Sequence, residues 1–168
     1  MLPAEIARRI AEEMARVLRP RGFRRKAHVF SRESEDVIHL VELQASRKNT
    51  SALSSFTVNL AIWVPALVPE DVRDSRKPAV AGAPWRKRLG SVCPEHTDLW
   101  WQAFELHAAR AIASEIAARV EQFGLPALDG VPNARALAAL WRAGSTPGLT
   151  RVEASKLAAE LQECIGEP

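Results

Sequence analysis

Residues 55–65 read SFTVNLAIWVP. Phe56, Val58, Leu60, Ile62 and Val64 take every second position, and Thr57, Asn59, Ala61 and Trp63 fall between them. A period of two is the signature of a strand, here with one fully apolar face and one mixed face. The strand therefore predicts a sheet that is dry on one side and partly polar on the other.

Working outward, DVIHLVELQAS at 36–46 and AHVFSRESE at 27–35 read as two earlier strands, joined by the polar turns ESED and RKNTSALS. Short turns imply antiparallel neighbours. In the strand at 36–46, Val37, Val41 and Leu43 alternate with Ile38, Leu40, Glu42 and Gln44, so both faces begin apolar and one turns polar. On the C-terminal side, Pro65, Pro69, Pro78 and Pro84 punctuate a long surface loop with a short helical turn at PEDVRD, and WRKRLGSV at 85–92 reads as a fourth strand.

Helical periodicity brackets this β region. Ile6, Ile10, Met14, Val17 and Leu18 form an apolar stripe that ends at Pro20, and Gly22 supplies the turn that follows. Residues 97–124 read as the longest helix, capped by Thr97 or Asp98, striped by Trp100, Phe104, Ile112, Ile116, Val120 and Phe123, and ended by Gly124 and Pro126. Two shorter helices are expected at 133–142 and 151–165. The expected fold class is α+β: an antiparallel sheet of about four strands, the N-terminal and long central helices packed on its dry face, and two further C-terminal helices. A single domain is expected, with a core over 1–123 and a helical extension over 124–168.

Bulk properties narrow the function classes. The 168 residues carry 23 Lys plus Arg against 20 Asp plus Glu, a net charge of +3, too small a surplus to name nucleic acid as partner. Two unpaired cysteines, Cys93 and Cys164, fit a reducing compartment. The amphipathic start lacks a signal-peptide apolar core, and no run is long enough to span a bilayer, so a cytoplasmic protein without membrane contact is expected. The scattered glycines form no phosphate loop, dinucleotide fingerprint or nucleophile elbow.

Several clusters invite chemistry. In CPEH, Cys93 and His96 could share a metal with Glu95 or His39, but a lone C-x-x-H without a second half reads better as a loop with His96 at the surface. Cys93 with His96 or His107 could form a nucleophile and base, although no spacing holds them together. Glu42, Gln44, Asn59, Thr57 and Ser46 can share one sheet face with His39 or Trp63, depending on register. The stretch RPRGFRRK at 19–26, followed by Arg32, collects six cations, which strand alternation divides by placing Arg24 and Lys26 opposite Arg25. A nucleic-acid surface would add stacking aromatics, and the nearby Phe23 and Phe30 read as core anchors.

The order of these pieces carries a resemblance. Gly22-Phe23 with a base at Arg25 or Lys26, Phe30 and Arg32, Gln44 and Ser46, Phe56 to Leu60, Trp85-Arg86, and Asp98 with Trp100 and Trp101 together resemble an uncharacterised bacterial family, the domain of unknown function numbered 4304. The resemblance spans roughly residues 5 to 123 and implies an α+β domain, with no activity, substrate or catalytic residue attached.

The reading reached is a non-enzymatic cytoplasmic binding module for a protein partner, acidic in character, or for a small ligand. Its expected contact residues are Arg25, Arg32, Gln44, Asn59 and Trp63, with no metal and no cofactor. A nucleic-acid binder using residues 19–32 is the runner-up, and an enzyme using His39, Glu42 or the Cys93–His96 pair is third.

Overall fold

The computed structural model describes residues 2–50, 52–105 and 108–166. Alternation in the central stretch has the predicted consequence: β4, Ser54–Trp63, sits within an antiparallel sheet and buries Phe56, Val58, Leu60 and Ile62 on one face. The chain enters by α1 (Leu2–Leu18) and turns through Arg19–Arg21 at Gly22, whose φ of 86° suits glycine. It then forms β1 (Arg24–Lys26), β2 (Val29–Ser34) and β3 (Val37–Ala45) before β4, and β5 (Trp85–Arg88), α2 (Leu89–Val92) and β6 (Trp101–Ala103) after it. The strands lie in the order β1-β2-β3-β4-β5, and β6 pairs with β4 as well.

The sheet thus has six strands among the described residues where about four are expected. Both additions have a physical reason. β1 is the RRK segment, folded back on β2 by a tight turn at Ala27-His28, with Arg24 opposite Ser31 and Lys26 opposite Val29. β6 arises because β5 pairs with β4 only from Asn59 to Ile62, which would leave the backbone of Ser54–Phe56 open at a buried edge; Trp101–Ala103 closes it.

That pairing corrects the expected long helix. Thr97 and Asp98 cap no helix, because they lead into the strand Trp101–Ala103 and α3 is described over Ala108–Arg119. Trp101 is buried from a strand, whereas Phe104 lies 62% exposed and contributes nothing to the stripe. The helix also does not end at Gly124. It widens into a π turn at Val120–Gly124, with the Leu125 amide donating to Val120, and continues as α4, Leu125–Asp129. Pro126 cannot donate and its ring crowds the preceding turn, so a wider turn lets the helix pass it.

α5 (Ala134–Arg142) and α6 (Arg151–Ile165) match expectation within a residue. Asn133 accepts from the Ala136 amide to cap α5, and Thr150 with Glu153 forms a capping box at α6. The amide of Ala134 donates to Asp36 in the β2–β3 turn, and α6 packs near Pro65–Leu67, so both helices extend the helical layer beyond the sheet's end. No described helix is long and apolar enough to cross a membrane.

Two apolar cores result. The larger joins Ile6, Ile10 and Met14 of α1 and Ile116 and Val120 of the α3 region to the β4 face, and includes Leu137 and Leu161 of the last helices. The smaller lies on the opposite face, where Leu40, Ala61 and Trp63 are covered by Val68, Val80 and Ala83 of the proline-punctuated loop.

Candidate functional site

Strand register places the side chains of the open face in cross-strand rows. One row runs Lys26, Val29, Glu42, Asn59, Arg88; the next runs Arg24, Ser31, Leu40, Ala61, Arg86; a third holds Glu33, Ile38 and Trp63. Two rows therefore begin and end on cations, with Val29, Glu42 and Asn59 between them in the first and Ser31, Leu40 and Ala61 in the second. Adjacent strands stand about 4.8 Å apart, so the two cationic flanks are separated by roughly 20 Å.

The flanks differ in how far their charge is already used. On the β5 side, Arg86 donates to the carbonyls of Ala81 and Gly148, and Arg88 pairs with Asp98 at 3.5 Å while lying over the Trp100 ring. On the β1 side, Arg24 and Lys26 have no hydrogen-bond or ion-pair partner among the described residues, nor does Lys77 of the loop. These three cations border a cleft of about 760 Å³ between the sheet and residues 77–81. Its floor is Val29, Ile38 and Leu40, its wall is Pro78 to Ala81, and Glu33 and Glu42 lie at its margins.

The loop is pinned on one side of this cleft. Trp63 is buried beneath it, the Arg76 guanidinium lies 5.7 Å from the Trp63 ring, and a Cβ on Gly82 would come within 3.1 Å of that ring. Arg86 holds the Ala81 carbonyl at 2.9 Å. Residues 77–79 remain exposed and form the outer wall.

Beyond Glu42 the cleft adjoins a second concavity of about 530 Å³ that reaches Gln44, Asn59 and Arg47. Here the Asn59 amide donates to Glu42 at 2.9 Å and to Gln44 at 2.8 Å, which uses both of its protons. Thr57 donates to the Leu99 carbonyl. The polar centre of the face is thereby internally satisfied.

The five expected contact residues do not form one surface. Gln44 and Asn59 line the open face, and Trp63 belongs to it by register but is buried under the loop. Arg25 and Arg32 point to the opposite, helix-covered side, since Arg25 pairs with Phe30 and Arg32 with His39 in the register. Arg25 donates to the Ala27 carbonyl at the sheet edge. Arg32 stacks on Phe23, donates to Arg21 and Asp129, and lies 2.9 Å from His39, so it anchors the sheet to the end of α4.

The same parity removes His39 from Glu42 and Gln44. It is fully buried behind the sheet, with Nε2 2.9 Å from the Val131 carbonyl. Burial foremost, and the neighbouring Arg32 charge, push its pKa below the ordinary imidazole value, against the raising influence of the Val131 carbonyl and Asp129. Cys93 is buried, whereas His96 is exposed with Nδ1 3.1 Å from the Ser91 carbonyl; His107 lies outside the described residues. Among the described residues no three His, Cys, Asp or Glu side chains gather as a metal site would require.

The basic run is likewise dispersed. Arg21 pairs with Glu121 and Arg32 with Asp129, and Phe23 and Phe30 are core residues. Arg24 and Lys26, which alternation already placed on one face, were not among the five expected contact residues, and neither was Lys77, which no local pattern marks.

The sequence model of a family described as "Domain of unknown function (DUF4304)" matches residues 14–130. The match begins within α1 and ends just after α4, and so leaves α5 and α6 outside it. No curated protein and no solved structure matches the chain.

Proposed function

The chain belongs to the DUF4304 family, whose description assigns no activity, and from that premise we propose that it is a cytoplasmic, non-enzymatic binding module whose site is the cleft on the open face of the sheet. The observation that carries this is the set of three unpartnered cations, Arg24, Lys26 and Lys77, around a concave apolar floor. A cleft with low-dielectric walls focuses the field of one sign of charge, which raises the local concentration of anions. Its volume of about 760 Å³ falls within the range of about 300–1,000 Å³ typical of ligand pockets. His39 lies behind the sheet and Cys93 in the core, both apart from the cleft, while Glu42 at its margin accepts from the Asn59 amide.

The test is a thermal-shift assay on the full chain, using cell extract split into small-molecule and macromolecular pools, with a variant carrying Arg24→Glu, Lys26→Glu and Lys77→Glu beside it. A ligand at a hundred times its dissociation constant stabilises by about 2.7 kcal/mol. For a domain of this size that is a rise in Tm of roughly 6–10 °C. The reading expects such a rise with one pool and its loss in the variant. It fails if neither pool shifts the protein, or if the variant responds equally.

A further inference from the structure

We infer that the ligand of this cleft is a small amphiphile, an anionic head group of phosphate or carboxylate chemistry on an aliphatic body. This rests on the binding reading above and gives it a ligand class. Among the described residues, the cleft's unpartnered cations are Arg24 and Lys26 on the edge strand β1 and Lys77 on the loop. An anion held there takes charge-assisted hydrogen bonds from groups that have no competing carboxylate among the described residues.

The rest of the cleft suits the other half of such a molecule. Val29, Ile38 and Leu40 are adjacent across β2 and β3, and Pro78 to Ala81 stand over them. Among the described residues no aromatic side chain lines this cavity, and Trp63, which belongs to the open face by register, is buried beneath the loop beyond it. A ring would therefore have nothing to stack on, whereas an alkyl chain needs only apolar area removed from water. Glu42 and Glu33 lie at the cleft's margins in the first and third rows, away from the middle of the floor. They repel an anion at either margin and leave the β1 flank as the place where a head group settles.

The β5 flank is a poorer home for the charge. Arg86 is held by the Ala81 and Gly148 carbonyls and Arg88 by Asp98 and the Trp100 ring, with the Arg88 Nη1 buried and unpartnered, so an anion there would have to displace most of the contacts already made. The orientation follows: head at β1 and Lys77, tail along Val29 and Leu40 under Val80.

Four probes test this by calorimetric titration of the full chain below their micelle-forming concentrations: dodecyl phosphate, dodecanoate, dodecanol and inorganic phosphate. Dodecyl phosphate and dodecanoate report separately on the two head groups. At least one is expected to bind one to one, with dodecanol and inorganic phosphate each at least about tenfold weaker, because each lacks one half of the recognition. Replacing Arg24, Lys26 and Lys77 with Gln together is expected to lower affinity for the anionic probe by about tenfold or more while leaving dodecanol unchanged. These side chains are exposed, so the fold tolerates the change. Dodecanol binding as tightly as the anionic probes, no binding by either anionic amphiphile, or a Gln variant that keeps full affinity overturns the ligand class. If the amphiphiles fail while extract still shifts the wild type and not the Glu variant, the ligand class falls and the binding cleft stands; if both fail, both fall.

Discussion

Arg32 and His39 face each other across β2 and β3, with Nη2 of the arginine donating to Nδ1 of the histidine at 2.9 Å. A guanidinium only donates, so Nδ1 must accept and the ring proton sits on Nε2, where it is given to the Val131 carbonyl. The geometry fixes a neutral ring of one tautomer between the sheet and the segment that follows α4.

That neutrality makes folding pH-dependent in a defined direction. The folded His39 pKa lies below its unfolded value of about 6.5, so between the two the unfolded chain binds more protons. The contribution is complete above about 6.5 and is lost as pH falls from there towards the folded value. Urea midpoints are expected to fall between about pH 7.5 and 5.5, bracketing the unfolded imidazole, and His39→Gln to flatten that slope even if its plateau is lower. An unchanged slope in the variant would show that other groups set it.

Phe56 and Phe104 separate burial from hydrophobicity. Phe56 is fully buried on β4 and Phe104 is 62% exposed beyond β6. Phe56→Ala is expected to cost about 3–5 kcal/mol. Phe104→Ala is expected to fall within about 0.5 kcal/mol of wild type, as most exposed changes do. Chemical denaturation of the pair checks both, and equal costs would contradict the strand at Trp101–Ala103.

Gly90 is required for a close approach rather than a special φ. A Cβ there would lie 2.1 Å from the Thr97 carbonyl and 2.8 Å from the Leu99 amide nitrogen, both backbone atoms of the segment leading into β6. Gly90→Ala is expected to destabilise by about 2 kcal/mol or more, towards the upper end of overpacking costs. A midpoint equal to wild type would mean that this segment does not pack on α2.

Thr150 accepts from the Glu153 amide while Glu153 takes the Thr150 amide in return. Thr150→Ala is expected to cost about 1 kcal/mol. The loss should register first as faster amide exchange in the opening turn of α6, a local effect that a core residue would not produce.

Much of the architecture was legible in local pattern. The period of two in β4, the apolar stripe of α1 and the two C-terminal helices are written in short-range spacing, because backbone geometry alone dictates which residues share a face. Alternation also puts Arg24 and Lys26 opposite Arg25, and His39 with Val37 and Val41, although grouping His39 with Glu42 ignored that rule. The helix expected from Thr97 was misread because propensity is weak beside an unpaired sheet edge: β5 stops short on β4, and Trp101–Ala103 gains more by completing the edge than by coiling.

What the sequence by itself determined is therefore the faces of β2 to β4 and of the helices at either end, which depend on neighbours a few residues away. Tertiary structure alone decided that the 65–84 loop folds back over the open face, burying Trp63 and bringing Lys77 to the cleft that Arg24 and Lys26 border. Those groups are some fifty residues apart in the chain, and nothing in either segment encodes their meeting. It follows from long-range burial of Val68, Val80 and Ala83, a contact whose free energy exists only once the sheet has formed.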